Sequence, residues 1–551
     1  MPRPSRLVFL GGLGEVGRNM ACLEIDGRIL VLDTGLSFPT EDMPGIDLVL
    51  PDYQYLRERK EAIEAVILTH GHEDHVGALP YLLREMSLRV LATPLTLGLL
   101  GPKLEEHRVA DRADLVAVEP GGSAEVGPFR MRFLRVTHSI PDGLAVAIDT
   151  PAGTVLHTGD FRLDPTPIDG LVTDLRGFAE EARRGVHLLL SDSTNAEDEG
   201  TVPSERTVGP TLQRIFDEAP RLLVAACFAS HIHRIQQICD AAQAVGRKVA
   251  FLGRSMHQAT ENALALGRLT LPEEDVVDIE AIAEMDPRDV AVVCTGSQGE
   301  PLSALALMAA HEQKFVHLEP DDTVVLSSSV IPGNETAINR VIDGLYRTGA
   351  RVFHTANAHV HVSGHAAADE LKLMLNLVGP RWFIPIHGER RHLVNHVRLA
   401  REVGMPPERV VLCEDGDVVE IGEDVRVADR VQAGMILVDG LGIGDVGQAV
   451  LRDRRKLAGD GIVVVVVTAD AHSGEILAGP DIITRGFVHD ETSPEILEEA
   501  RHRTALSLKE VAEEEVSDPA ILKQHVRRTL GRYFFEAIQR KPIIVPVIME
   551  V

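Results

Sequence analysis

Cysteine is scarce in this chain and never closely spaced. Cys22, Cys227, Cys239, Cys294 and Cys413 form no Cys-x-x-Cys pair, which argues against a cysteine-ligated structural zinc and leaves buried, inert thiols. Any metal must then be held by nitrogen and oxygen. Long apolar runs are also missing: the longest, Ile462 to Val467, is far too short to span a bilayer. Met1-Pro2-Arg3-Pro4-Ser5-Arg6 runs straight into the strand-like Leu7-Val8-Phe9-Leu10 with no signal-peptide apolar region, so a cytoplasmic protein with no membrane partner is expected. Positive charge is short as well, with 55 Lys and Arg against 83 Asp and Glu and a net charge of −28. That argues against broad electrostatic binding of nucleic acid, which needs Lys and Arg along the phosphate track. It leaves open a nucleic-acid enzyme whose positive charge sits in one cleft, where two divalent ions alone would place about four charges.

What is present describes a soluble globular protein: 551 residues, 44% hydrophobic and 25% charged. That length is too great for one core and predicts about three or four domains. The densest chemistry is His70-Gly71-His72-Glu73-Asp74-His75, directly after the buried-strand pattern Ala65-Val66-Ile67-Leu68-Thr69. Three imidazoles and a carboxylate in one loop suit zinc, manganese or iron, and two ligand sets so close suggest two ions. A plain His-rich surface loop is the competing reading. One loop cannot saturate two ions, so further ligands are expected at other strand ends. His138 follows Phe133 to Val136, Asp160 closes His157-Thr158-Gly159-Asp160, and His387 follows Phe383 to Ile386.

The first ~205 residues read as short strands joined by Gly and Pro turns, including a hairpin of Met20 to Ile25 and Arg28 to Leu32 closed at Asp26-Gly27. Gly12-Leu13-Gly14-Glu15-Val16-Gly17 spells a dinucleotide fingerprint, with Asp33 at the distance of a ribose-binding acid. No helix pattern follows the glycines, so a tight backbone turn beside the site is the better account. From about 208 to 375 strands and helices alternate: Leu222 to Cys227, helix Ile232 to Ala244, Lys248 to Leu252, Val290 to Cys294, Thr323 to Leu326. Strand-rich character resumes at Trp382 to Ile386, so the α/β block reads as an insertion. After a Gly- and Asp-rich connection, a last unit reads strand, strand, helix, helix, strand. Its helices start at Ser493-Pro494 and Asp518-Pro519, and Glu513-Glu514-Glu515 reads as a solvated helix end.

With these residues together, the chain resembles the metallo-β-lactamase superfamily and, within it, the ribonuclease J family of β-CASP nucleases. The resemblance is carried by the His-x-His-x-Asp-His loop, the Gly-rich N-terminal segment, Ser191-Asp192-Ser193-Thr194, Phe228-Ala229-Ser230-His231-Ile232-His233-Arg234, Cys294 to Pro301, His361-Val362-Ser363-Gly364-His365 and Ile386-His387-Gly388-Glu389. It implies an α/β protein: a metallo-β-lactamase αββα sandwich with an inserted α/β β-CASP domain and a small α/β C-terminal domain. The sandwich would take 1–207 and 376–450, the β-CASP domain 208–375 and a dimerisation domain 451–551.

It further implies two Zn²⁺, one on His70, His72 and His138, the other on Asp74, His75 and His387, with Asp160 bridging; Mn²⁺ or Mg²⁺ could support activity. Asp33 would orient a ligand, or serve as a turn-forming residue before Thr34-Gly35. A Glu stands where His72 does in flavodiiron relatives, which disfavours a redox role. Two divalent ions can lower the pKa of a shared water to supply hydroxide near neutral pH. By resemblance Asp74 takes up a proton, His365 hydrogen-bonds the scissile phosphate or protonates the departing oxygen, and Asp192 orients His365 unless it is a plain cap. Ser230 and His231 stand between a strand and a helix, and Ser363, Gly364 and His365 precede the helical pattern Ala366 to Leu377. Both loops are therefore expected to bind phosphate at helix N-termini, with ordinary N-capping as the alternative. His233, Arg254 and His361 complete the expected substrate-binding set, Arg254 toward a 5′-monophosphate.

The implied activity is hydrolysis of single-stranded RNA from the 5′ end and sometimes internally, in RNA maturation and decay, by a homodimer. Two alternatives stand beside it. A small-molecule metallohydrolase would not need a ~165-residue inserted domain. A catalytically inactive β-CASP scaffold of an RNA-processing complex would have lost ligands that this chain keeps.

Overall fold

The computed structural model describes residues 5–40, 42–300, 302–331, 334–440, 442–471, 475–487, 494–513 and 518–551. Two compact units result: residues up to Phe38 with Val49–Ile436, and Pro39–Leu48 with Leu437–Val551.

In the first unit two sheets pack face to face. One has eight strands, in the order Val425–Arg430, Asp417–Ile421, Ser5–Gly11, Met20–Ile25, Arg28–Leu32, Ile63–Ile67, Leu88–Ala92 and Ala113–Ala117. The other has six: Trp382–Ile386, Val186–Asp192, Gly153–His157, Gly143–Thr150, Phe129–Val136 and Ser123–Val126. Alternation along each strand sorts side chains between faces. Leu188 and Leu190 join Leu7, Leu30 and Ile67 between the sheets, while Leu189 turns outward onto helices Leu175–Arg184 and Ala368–Val378, against Phe178 and Leu371. This is the expected αββα sandwich, and the hairpin of Met20–Ile25 with Arg28–Leu32 has the predicted bounds.

Between Val186–Asp192 and Trp382–Ile386, which pair in parallel, the chain forms a third sheet. Its five strands, Lys248–Leu252, Val290–Cys294, Leu223–Ala226, Thr323–Leu326 and Arg351–Phe353, are all parallel. Both faces are covered: Leu223 and Ala225 pack on one side, Val224 and Ala226 on the other. That is why these strands read as unbroken apolar runs.

In the second unit Ile462–Ala469 lies between Ile476–Arg485, antiparallel, and Ile543–Glu550, parallel. Val463, Val465 and Val467 meet helices Pro494–Glu513 and Pro519–Ile538 through Leu508, Val526 and Phe534. Asp518 caps the second helix by accepting from Ala520 N–H at 2.8 Å. Ser493, Glu514, Glu515 and Pro301 fall outside the described residues. One element departs from the sequence reading: Gln448–Asp460 is a helix where a Gly- and Asp-rich connection is expected. Leu451 is its buried apolar residue and Gly447 offers no side-chain cap, so neither periodicity nor a start signal announces it.

Candidate metal centre and catalytic site

Strand direction gathers the site. Phe129–Val136 and Gly153–His157 run the same way, since each is antiparallel to Gly143–Thr150; Val186–Asp192 and Trp382–Ile386 continue in parallel. At the C-terminal ends of these four strands stand His138, Asp160, Asp192 and His387. From the facing sheet, Ile63–Ile67 delivers the His70 loop, whose Glu73–Val76 turn is helical.

These residues converge on one atom. Asp160 Oδ2 lies 3.2 Å from His75 Nε2, 3.6 Å from His387 Nε2, 3.7 Å from His70 Nε2, 3.8 Å from His138 Nε2 and 4.0 Å from His365 Nδ1. Around it the donors fall into three overlapping groups: His70, His72, His138 and Asp160; Asp74, His75, Asp160 and His387; and Asp160, Asp192, His365 and His387, with donor atoms within 4.8 Å in each. His72 Nδ1 sits 3.0 Å from His70 Nε2 and 3.1 Å from His138 Nε2. His387 Nε2 is 3.2 Å from Asp74 Oδ2.

Hydrogen bonds behind the cluster aim the rings inward. His75 Nδ1 meets Asp33 Oδ2 at 2.8 Å, and Asp33 also accepts from Thr69 N–H and Oγ1 at 2.7 and 2.9 Å. Asp33 therefore orients a ring and ties a turn at once. His138 Nδ1 donates to the Gly364 carbonyl at 2.8 Å, leaving Nε2 as the bare nitrogen facing the cluster. His387 Nδ1 meets Thr194 Oγ1 at 2.6 Å. Asp33 and His387 adopt left-handed backbone conformations, φ 59° and 53°, uncommon outside glycine.

Burial, then the neighbouring His75, holds His70 well below the usual imidazole range; burial, then His365, does the same to His138, and His72 falls to about 4. Asp160 is held well below the carboxylate range: burial opposes this, but His387 and His75 outweigh it. Conversely, Asp160, Asp74 and Asp33 overcome burial to keep His75 well above the imidazole range, and Asp160, Asp192 and Asp74 do so for His387. Ionised carboxylates beside the neutral imidazoles of His70, His72 and His138 are the donor state that N/O-ligated divalent ions require, and an ion seated beside His75 and His387 would displace the protons that their carboxylate neighbours draw onto them, so this residue set fits such ions.

Asp192 makes the contacts that both readings of it require. Its Oδ1 accepts from Thr194 N–H and Oγ1 at 3.0 and 2.7 Å, a local turn, while Oδ2 meets His365 Nδ1 at 2.8 Å. Burial disfavours charge on His365, yet Asp192 raises its pKa.

The other expected residues divide. Gly364 packs on His138, where an added Cβ would lie 2.8 Å from the ring. The helix expected directly after His365, from Ala366, begins at Ala368, so Ser363 does not cap it, the alternative weighed for this residue; Ser363 Oγ accepts from Asn195 Nδ2 at 2.7 Å. His231 caps Ile232–Ala244 by accepting from Arg234 N–H at 3.3 Å; half-buried Ser230 precedes it. His361 Nδ1 lies 3.5 Å from Arg234 Nη1, and burial, then Arg234, lowers its pKa to about 3. His233 faces Asp169 at 3.2 Å, and exposed Arg254 faces Glu106 at 3.4 Å. The Gly12 to Gly17 segment, expected as a tight turn, instead forms the short strand Leu13–Gly14, paired to Gly388 and Glu389 directly after His387, with no helix behind the glycines. Sequence reasoning passed over Arg162 and Asn195, which both bond to the Ser363–His365 loop. Their only signal is adjacency to Asp160 and Asp192.

Four family models match along the chain: “Metallo-beta-lactamase superfamily” at 13–199, “Ribonuclease J, beta-CASP domain” at 220–345, “Zn-dependent metallo-hydrolase RNA specificity domain” at 354–412 and “Ribonuclease J C-terminal domain” at 449–551. Ribonuclease J of Mycolicibacterium smegmatis is 44% identical over 552 residues, covering 100% of this chain and 98% of the relative. Ribonuclease J of Thermus thermophilus is 42% identical, with 99% and 95% covered, and ribonuclease J2 of Bacillus subtilis 41%, with 99% and 98%. A crystal structure of an Enterococcus faecalis protein of unknown function aligns with a TM-score of 0.53 at 15% identity, covering 76% of this chain and 100% of that one, a likeness of fold alone. Strand-end donors, an inserted parallel sheet and full-length relatives agree, and the chain belongs to the ribonuclease J family.

Proposed function

We propose that the protein is a two-zinc ribonuclease that hydrolyses single-stranded RNA in the cytoplasm, 5′ to 3′ from monophosphorylated ends and at times internally. The observation that carries this reading is Asp160 Oδ2, shared by two complete donor groups beside the paired His365 and Asp192. His70, His72 and His138 would hold one ion, Asp74, His75 and His387 the other, and Asp160 both. When bound, such ions supply Lewis-acid activation of water and neutralise phosphate charge. Asp74, partly open to solvent, takes up the proton released at attack. His365 has Nδ1 committed to Asp192, so Nε2 is the nitrogen free to donate to the scissile phosphate or the departing oxygen. Ionised Asp192 keeps that imidazole protonated.

Ser363 and Gly364 line the same mouth, and Ser230, His231, His233, Arg254 and His361 are assigned to RNA through the β-CASP side. We partition the chain as 1–207 and 376–450 for the sandwich, 208–375 for the β-CASP domain and 451–551 for a homodimerisation domain. Support for the dimer comes from the sheet face opposite the helices, where Ile483, Val547 and Met549 are exposed.

The test uses end-labelled RNA bearing a 5′-hydroxyl, mono- or triphosphate, with Mn²⁺ or Mg²⁺. Monophosphorylated RNA is expected to be shortened from its 5′ end, activity to vanish in His72→Ala, and metal analysis to return two zinc ions per chain. Full activity in His72→Ala, or turnover of a lactone with RNA left intact, would overturn the reading.

A further inference from the structure

Three successive carbonyls of the loop that carries His365 are each held from outside it. Ser363 O accepts from Arg162 Nη1 at 2.8 Å, Gly364 O from His138 Nδ1 at 2.8 Å, and His365 O from Asn195 Nδ2 at 3.0 Å. The next residue is anchored too, with Ala366 N–H donating to Phe161 O at 2.7 Å. All three side-chain donors follow strands of the six-stranded sheet, the strands that deliver His138, Asp160 and Asp192.

Arg162 is itself firmly seated. Its guanidinium is buried against Asp164 at 3.2 Å and Glu205 at 3.8 Å. Its peptide N–H donates to Thr137 O at 2.8 Å, and its carbonyl accepts from Thr137 Oγ1 at 2.6 Å, so it moves only with the residue that precedes His138. Asn195 bonds the loop twice, to His365 O and to Ser363 Oγ, and its backbone bridges Ala367. A loop fastened at consecutive carbonyls has little freedom to rotate its peptide planes, and the imidazole it carries is fixed with it.

We propose that Arg162 and Asn195 are positioning residues for phosphodiester hydrolysis: by holding the carbonyls of Ser363 and His365 they fix the His365 imidazole against Asp192 at the mouth of the donor cluster. This rests on the role given above to His365. Neither residue touches the reacting atoms; both act through His365. Misplacing a proton-transferring group by about 1 Å lowers a rate on the order of 10²-fold.

The experiment is a double-mutant cycle in the full-length enzyme on 5′-monophosphorylated RNA, with metal content and thermal midpoint measured alongside. Asn195→Ala is expected to lower kcat by roughly 10- to 100-fold with little change in KM and metal content retained. In the His365→Ala background the same substitution is expected to have no further effect, because the group it positions is gone. Arg162→Lys keeps a charge opposite Asp164 and Glu205 but loses the planar fork; it is expected to behave alike and serves as the arm if Asn195→Ala fails to fold. Wild-type kcat in the single variants, or a loss that adds in full to that of His365→Ala, overturns the proposal. A wild-type kcat in His365→Ala itself gives a different result: it removes the role of His365 on which the proposal stands.

Discussion

Asp160 Oδ2 faces five imidazoles within 4.0 Å, so small displacements there are felt by every donor. Gly364 shows how little space remains. A Cβ at that position would sit 2.8 Å from His138 Cε1 and Nδ1 and 3.0 Å from Ser139 Cβ. Gly364→Ala must therefore push either the ring or the loop, and activity on RNA is expected to fall on the order of 10²-fold. Gly447→Ala, where among the described residues beyond its chain neighbours nothing lies within 4 Å, is the control expected to keep its rate. Away from the centre, burial and then Glu15 push the Asp415 carboxyl up to about 7. Its folded pKa exceeds the unfolded value of about 3.9. Its contribution to stability is therefore complete below about pH 4 and is lost as pH rises through about 7. Asp415→Asn is expected to raise the thermal midpoint relative to wild type at pH 8, with the gap narrowing toward pH 5. A constant separation across that range would assign the effect elsewhere.

Among the elements, helix Ile232–Ala244 is fastened by a charge that never reaches water. Arg234 is fully buried and donates to Glu205 at 2.7 Å, to Ser327 Oγ at 2.6 Å and to Val360 O at 2.6 Å, joining three segments. Arg234→Met would strand the buried Glu205 carboxylate, an expected loss of about 3–5 kcal/mol measurable by urea unfolding. The bounds of this helix, and of the strands Lys248–Leu252, Val290–Cys294, Thr323–Leu326 and Trp382–Ile386, were legible because strands covered on both faces read as apolar runs, bounded by polar loops. The metal-donor residues were legible for a related reason: histidine and aspartate directly after such runs stand out, and four parallel-running strand ends meet at one mouth. What hid was set by contacts distant in sequence. The helical pattern after Ser363, Gly364 and His365 reads as starting at Ala366, but that helix starts at Ala368 and Ser363 is held by Asn195 instead of meeting it. His233 and Arg254 face Asp169 and Glu106, partners too distant in sequence to be matched to them. Arg162 and Asn195 looked like ordinary polar residues beside better-known neighbours. The helix Gln448–Asp460 exposes most of its surface, so it lacked the apolar stripe by which helices are read.

Across the whole molecule, a net charge of −28 coexists with an anionic substrate. Two carboxylates of that excess, Asp74 and Asp160, belong to the donor cluster that fits metal ions, whose positive charge would offset that of phosphate. The C-terminal sheet leaves Ile483, Val547 and Met549 exposed on the face away from its helices. The full chain is expected to be a dimer by light scattering and a chain ending near 450 a monomer; equal masses per particle, corrected for length, would refute the C-terminal contact.

Val186–Asp192 pairs with Trp382–Ile386 across the entire inserted domain. During synthesis, the emerging polypeptide possesses the His70 loop, His138 and Asp160 long before it possesses His365 and His387. Chain order thus closes the donor set late, since His365 and His387 come only at the end of the inserted sheet and after it.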